Sequence, residues 1–310
     1  FRIASAIPTI KYILSQNPNR LILTSHFGRP ENKESEFSLQ FMLPILEKYL
    51  ETKVEFLSEG LVNNTLHKVN SGIYLLENLR YYTAETLYTP EELSDNNTVR
   101  IYRQLGDVFI IDAFGCLHRE HMSICDVNYS GKEYGYGELI EKELLNLDTI
   151  LSNKNEKILG IIGGAKIQDK MPFIHKLRKI PNTKLFIAGG LAKHYEEYYD
   201  NVMVMKNGLG NYNLDDKPKE LTLVDVKNSD ANFYDISDIN IQVLMEEIIQ
   251  SDIIFWNGPL GVIEHDIYKK GSIRLATFLQ NITNKKIIIG GGETATLFDK
   301  KNNDIYVSTG

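Results

Sequence analysis

The feature that most constrains this chain is an apolar run that ends in two glycines and passes at once into lysines. Residues 157–166 read Lys-Ile-Leu-Gly-Ile-Ile-Gly-Gly-Ala-Lys, and a second lysine follows at 170. Positions 158–162 have the length and β-branching of a buried strand. The glycine pair, Gly163 and Gly164, lets the backbone turn sharply because no Cβ obstructs it. From there to 179 the spacing is helical, with Ile167, Met171, Ile174 and Leu177 on one face. Lys166 and Lys170 stand four apart at the helix start, so they project together beside N–H groups the helix leaves unpaired. Bare amides, a helix dipole and two ammonium groups converging on one place make an anion site, and a polyphosphate suits it best. A plain strand-to-helix turn with two solvated lysines fits the same residues, so this stretch alone leaves both readings open.

Two further stretches repeat the theme. Residues 286–294 read Lys-Ile-Ile-Ile-Gly-Gly-Gly-Glu-Thr, and 184–190 read Lys-Leu-Phe-Ile-Ala-Gly-Gly. Three glycine-tipped strands in one half of a chain imply a parallel sheet whose carboxyl edge faces one ligand.

The first half carries cations where the second carries glycines. A helix is expected over 5–15, with Pro8 in its first turn, then a strand over 20–24 that empties into His26 and Arg29. A helix near 39–51 and short strands at 53–57 and 73–76 follow, the last running into Arg80. A helix over 97–105 precedes a strand over 107–111, which opens toward Arg119. Strand alternating with helix means βαβ units and a mostly parallel sheet. Four cations at the ends of three strands lie along one edge of such a sheet, and arginine suits bidentate contact with phosphate or carboxylate. His118 and His121 flank Arg119, but no third ligand stands at a metal-binding spacing, so they read as polar loop residues.

Between the halves, 138–152 is an uninterrupted amphipathic helix, preceded by a Tyr- and Gly-rich loop (129–137). The domain joint is expected there, although a helix inside a single domain fits the composition equally. In 200–240 the Asn- and Asp-rich spans 207–216 and 227–232 read as loops around a strand at 220–225. A helix over 240–250 then leads to a buried strand from 253, broken by the Asn257-Gly258-Pro259 turn.

The 310 residues are enough for two cores. A net charge of −7 argues against nucleic acid as the main partner and requires that any anionic substrate be met by local Arg and Lys clusters. No apolar run approaches the roughly 20 residues that span a bilayer. Two cysteines, Cys116 and Cys125, make neither a disulfide framework nor a metal motif, so a reducing cytosol is the expected compartment. No Gly-x-Gly-x-x-Gly with its partner acid is present, which counts against a dinucleotide-dependent oxidoreductase, and no Gly-x-x-x-x-Gly-Lys-Ser/Thr loop either.

The motifs resemble those of phosphoglycerate kinase. Ser25-His26-Phe27-Gly28-Arg29-Pro30 is similar to the family's Ser-His-Leu-Gly-Arg-Pro, and 77–80 to its Glu-Asn-Leu-Arg. Residues 112–119 follow its Asp-Ala-Phe-Gly-Thr-Ala-His-Arg, and 163–170 its Gly-Gly-Ala-Lys-x-x-Asp-Lys. The stretches 256–264 and 307–310 complete a series of six motifs in register from end to end. The resemblance implies an α/β protein of two Rossmann-like three-layer domains with mostly parallel sheets, joined by a hinge helix. It implies an acceptor domain over 1–137, an interdomain helix over 138–153 and a nucleotide-binding domain over 154–310. The implied reaction is reversible phosphoryl transfer between ATP and the carboxylate of 3-phosphoglycerate, giving 1,3-bisphosphoglycerate and ADP, in a cytoplasmic monomer with no nucleic-acid or membrane partner. By position, Arg2, His26, Arg29, Arg80 and Arg119 bind 3-phosphoglycerate, and Arg2 also reaches the transferring phosphoryl. Arg2, Lys166, Lys170 and Gly291 form the catalytic group. Gly164, Lys166, Lys170, Gly190, Asn257, Glu264, Gly290, Gly291, Gly292, Glu293 and Thr294 line the nucleotide site. Mg²⁺ enters as MgATP or MgADP and meets Glu293 directly or through water.

Several positions depart from the pattern. Glu293 stands where the family has aspartate, Phe27 and Leu117 replace other loop residues, and Asp235-Ile236-Ser237-Asp238 replaces a Gly-Pro-Lys turn. Region 200–240 is shorter than usual, which leaves the adenine pocket unassigned. The family's first strand is expected to precede Phe1 and its closing C-terminal segment to follow Gly310. A non-catalytic homologue is the alternative; Arg2, Arg119, Lys166 and Lys170 oppose it, whereas Glu293 and the missing ends leave it open.

Overall fold

In the computed structural model of the protein, which describes residues 2–62, 69–93, 95–152, 155–165, 167–211, 221–228, 232–298 and 305–310, the chain divides into two compact units. These are Phe1–Glu143 and Leu144–Gly310. In the first, strands β1 (Arg20–Leu23), β2 (Glu55–Leu57) and β3 (Gly72–Leu76) form a parallel sheet in the order β1-β3-β2. Strand alternation sorts the side chains onto two faces. Ile22, Leu57 and Leu76 pack toward Val99 and Tyr102 of the helix Asn97–Arg103. Leu21, Leu23, Phe56 and Leu75 pack toward Ile7 and Ile10 of the helix Arg2–Ser15 and Leu46 of the helix Leu43–Leu50. The result is helix, sheet, helix. A separate parallel pair, β4 (Val108–Ile111) and β5 (Glu133–Tyr136), completes this unit.

The second unit is built on six parallel strands. They are β6 (Ile158–Ile162), β7 (Thr183–Ile187), β8 (Val202–Val204), β12 (Ile253–Asn257), β13 (Lys286–Gly290) and β14 (Ile305–Val307), in the order β14-β13-β12-β6-β7-β8. An antiparallel sheet of β9 (Asn207–Asn211), β10 (Thr222–Asp225) and β11 (Asn232–Ile236), ordered β10-β9-β11, lies outside that series. β6 is buried at every residue, which is why its sequence is a continuous apolar run rather than an alternating one. The helix Glu138–Leu151 spans the division: Ile140 joins a core cluster of the first unit and Ile150 the core of the second.

Three local expectations are corrected. The first helix begins at Arg2, not at residue 5, so Pro8 lies in its interior and the Ala4 carbonyl lacks a helical donor. Residues 133–136 form a strand, where tyrosine and glycine had suggested a loop. Tyr134 and Tyr136 remain largely exposed, so the segment carries no apolar run to announce it. Residues 207–211 also form a strand. Its glycines admit the neighbouring chain closely, for a Cβ on Gly210 would stand 2.0 Å from the Asn232 carbonyl oxygen.

The carboxyl edge of the large sheet is as tightly built. Gly258 follows β12 with φ +92°, and a Cβ there would stand 2.4 Å from the Gly163 carbonyl oxygen. Gly258→Ala therefore combines left-handed strain with a backbone overlap, and is expected to destabilise the protein by about 3 kcal/mol or more. Urea unfolding measures it; a variant within about 0.5 kcal/mol of the parent would mean that this edge is not close-packed.

Candidate active site

The strand ends of the first unit gather their cations through a buried polar brace. Glu77, at the end of β3, accepts hydrogen bonds from the amides of Leu39 (2.9 Å) and Asn78 (2.8 Å) and from the Ser38 hydroxyl (2.8 Å). Asn78 is fully buried and donates to the carbonyls of Phe27 (2.7 Å) and Phe37 (2.8 Å), while its own oxygen accepts from Arg80 N (3.1 Å). These bonds fix the loop after β1 against the loop after β3. Arg80 then donates to the Gly28 carbonyl. Burial lowers the Arg80 pKa, and Arg119 and Arg29 lower it further by repulsion, against the attraction of Cys116 and Glu85. The first unit thus brings Arg29, Arg80, Arg119 and His26 into one electrostatic cluster. Arg2 is exposed at the start of its helix, and no hydrogen bond or ion pair joins it to the others among the described residues.

His26 and His121 share one carboxylate. His26 Nε2 lies 2.5 Å from Glu85 Oε1, and His121 Nδ1 lies 3.6 Å from the same oxygen. Glu85 is completely buried and also accepts from Ser123 N (3.0 Å) and Oγ (2.7 Å). Burial works against a charged His26, but hydrogen bonds to Cys116 and Glu85 outweigh it and raise its pKa to about 9. Burial instead lowers the pKa of His121, helped by His26, Arg80 and Arg119 and opposed by Glu85. His121 is therefore a buried member of the cluster, not a solvated loop residue. The ligand atoms of His26, Glu85 and His121 lie within 4.8 Å of one another, a spacing open to a metal. The neighbouring Arg80 and Arg119, however, repel a cation there. The three residues read as a hydrogen-bonded ion pair with a neutral histidine beside it.

In the second unit the glycine-tipped ends of β6 and β12 meet at Lys170. Its ammonium donates to Gly163 O (2.6 Å), Asn257 O (3.2 Å) and Asn257 Oδ1 (3.0 Å). Burial lowers its pKa to about 8, with the Glu293 carboxylate pulling the other way. The amides of Gly163 and Gly164 are not bare. They donate to Asn257 O and Pro259 O, both at 2.9 Å, so the backbone turn serves to cross two strand ends rather than to present free donors. Gly189, after β7, is drawn into the same crossing: with φ +62°, a Cβ on it would meet Gly164 N at 2.7 Å. Gly190 lies against Ala165, and Gly290 faces the Asn257 amide nitrogen. Thr294 is fully buried and accepts from Gly258 N (3.0 Å), which makes it a brace for the edge. Gly291 donates to Gly310 O, and Glu293 stands exposed in the short helix Gly292–Ala295. Glu264 is an exposed loop residue, and no hydrogen bond or ion pair ties it to this edge among the described residues. Lys166 lies outside the described residues.

The sequence model of the family described as phosphoglycerate kinase matches residues 1–216 and 202–310. The chain belongs to the phosphoglycerate kinase family. The phosphoglycerate kinase of Neurospora crassa is 33% identical, the match covering 100% of this chain and 85% of that protein. That of Aquifex aeolicus is 30% identical over 94% of this chain and 80% of its own length. The solved phosphoglycerate kinase from Coxiella burnetii aligns with a TM-score of 0.72 at 25% identity, over 99% of this chain and 85% of that one. The structure from Pyrococcus horikoshii aligns at 0.82 over 100% and 85%, a likeness of fold at 20% identity.

Three residues of this site have no role assigned from the sequence. Glu85 sits in a one-turn helix, Thr83–Thr86, inside a segment without a motif. His121 and Cys116 gain meaning only through contacts with Glu85 and His26, which are distant in sequence. Lys170 generates the testable consequence here. The free protein should lose its ammonium near pH 8, so kcat/KM should fall above that pH by up to about tenfold per unit. A profile level from pH 7 to 10 would contradict the assignment.

Proposed function

We propose that the protein transfers a phosphoryl group reversibly between ATP and the carboxylate of 3-phosphoglycerate, with the acceptor held in the first unit and the nucleotide in the second. The observation that carries this reading is the cation cluster of Arg29, Arg80, Arg119 and His26, which Glu85 only partly neutralises. An acceptor bearing both a phosphate and a carboxylate matches several fixed positive groups better than one. The alternative of a nucleotide-binding homologue without activity is not favoured, because Arg119 and Lys170 are both in place.

The acceptor carboxylate is already ionised at neutral pH, so the reaction needs no general base. A bond forms from a carboxylate oxygen to the terminal phosphorus, and the bond from that phosphorus to the bridging oxygen of ADP breaks. The chain's task is positioning and charge neutralisation. Arg80 and Arg119 orient the acceptor. In the free protein Lys170 is held by backbone and amide oxygens, and it offers its positive charge to the transferring group where negative charge is greatest. By motif position, Lys166 is assigned to the nucleotide phosphates and Arg2 to the transferring phosphoryl. Gly164, Gly190, Asn257 and Gly290 to Thr294 line the nucleotide side, with Glu264 toward the ribose. Magnesium, bound with the nucleotide, would supply charge neutralisation at its phosphates. Glu293 offers an exposed, hard oxygen donor that suits such an ion.

We assign residues 1–137 and 154–310 to acceptor and nucleotide, with the intervening helix as the hinge. We also assign it as a monomer in the cytosol; two cysteines that are both free thiols accord with that compartment. No described helix is long and apolar enough to cross a membrane.

A coupled assay with ATP, magnesium and 3-phosphoglycerate tests the reading; turnover that does not depend on 3-phosphoglycerate contradicts it. Arg119→Ala should raise the KM for 3-phosphoglycerate by at least about tenfold and leave ATP binding within about twofold. Calorimetry showing equal losses for both ligands would contradict separate sites on the two units.

A further inference from the structure

Cys116 closes the short turn Phe114–Cys116 beyond β4, and it is half-buried. Its Sγ lies 3.9 Å from His26 Nδ1, and the other nitrogen of that ring meets Glu85 at 2.5 Å. Glu85 is completely buried and is fixed from behind by Ser123 N and Oγ. Sulfur, imidazole and carboxylate therefore stand in a row: a nucleophile, the group that takes its proton, and the group that orients that ring. The hydrogen bond to His26 lowers the thiol pKa against burial, and the charges of His26, Arg119 and Arg80 lower it further. His26 moves the opposite way, as expected of an imidazolium holding a thiolate. The chain's other cysteine is a built-in contrast. Burial raises the Cys125 pKa, and Glu120 and Glu85 add to the effect. Phosphoryl transfer to a carboxylate makes no use of a thiolate, so this arrangement is left over from the reaction.

We propose that Cys116 is a site of covalent oxidation by hydroperoxides, set up by the row Cys116–His26–Glu85 in the field of Arg80 and Arg119. The thiolate sulfur attacks the terminal oxygen of the peroxide. A sulfur–oxygen bond forms and the oxygen–oxygen bond breaks, with two electrons passing from sulfur to the leaving oxygen. The proton the thiol gave up, carried by His26, neutralises that oxygen, so the products are a cysteine sulfenic acid and water or an alcohol. A hydroperoxide suits the site for two reasons. It is small and uncharged, so it enters a half-buried position. Negative charge grows on its leaving oxygen, in the field of the two arginines. Oxidation here also places an oxygen within the cluster that the proposed function gives to 3-phosphoglycerate. Acceptor and peroxide should then compete, a consequence that rests on that reading.

The test is peroxide treatment of the intact chain at neutral pH with dimedone trapping, each cysteine being followed by peptide mass spectrometry. Cys116 should form the adduct at least about tenfold faster than Cys125, and His26→Gln should slow Cys116 alone by about tenfold. Equal rates at the two cysteines, or no effect of His26→Gln, would overturn the proposal. If that variant does not fold, iodoacetamide alkylation of the parent protein against pH decides. Cys116 should stay reactive at pH values where Cys125 has stopped, and superimposable profiles would overturn it. Including 3-phosphoglycerate separates the two ideas. Slowed Cys116 oxidation supports both, whereas selective oxidation that 3-phosphoglycerate leaves unchanged supports the thiol site and counts against the acceptor assignment.

Discussion

The Lys170 ammonium is the interaction on which the glycine-tipped edge of the large sheet depends. It ties the carbonyl of Gly163, beyond β6, to the carbonyl and side chain of Asn257, at the end of β12. Both strand ends point carbonyl oxygens into a half-buried space, and without a donor those oxygens would be unsatisfied. The glycines follow from the same constraint. Gly163 and Gly258 must pass close enough for one ammonium to reach both strand ends, and a Cβ on either would collide with the other strand's turn. Structure and chemistry thus place the same demand on these residues. An ammonium held by neutral oxygens keeps most of its charge for an arriving anion, and burial strengthens that charge's effect while making it easier to lose.

The first unit solves the matching problem differently. Bringing several positive groups together in a protein of net charge −7 requires a rigid frame and a local counter-charge. Glu77 and Asn78 supply the frame through backbone bonds that cross from one strand-end loop to another. Glu85 supplies the counter-charge from a fully buried position, close to both histidines. Its hydrogen bonds to Ser123 keep it accessible to His26, and His26 in turn conditions Cys116. A buried carboxylate therefore shapes the chemistry of a thiol on the far side of an imidazole ring.

The legible parts of the sequence were those governed by short-range rules. Continuous apolar runs marked β6, β12 and β13. Glycine tips marked the ends of the strands, and cations at strand ends marked a cluster that the structure does assemble from His26, Arg29, Arg80 and Arg119. What stayed hidden depends on partners distant along the chain. β9 is a strand because Gly208 and Gly210 lie against β11, and its own composition reads as a loop. His121 looked like a loop residue because nothing near it in sequence reveals Glu85. The amides of Gly163 and Gly164 looked free because their acceptors lie about a hundred residues away, at Asn257 and Pro259. The expectation for Arg2 came from motif position alone, and no contact among the described residues bears on it.

The central claim is that Lys170 is satisfied by the protein's own oxygens at rest and acts on charge that appears during transfer. Steady-state kinetics of Lys170→Ala, on protein whose folding has been checked by circular dichroism, tests it most directly. The account predicts that kcat falls by about a hundredfold or more while the KM values for both substrates stay within about threefold. A loss confined to KM, with kcat unchanged, would contradict it.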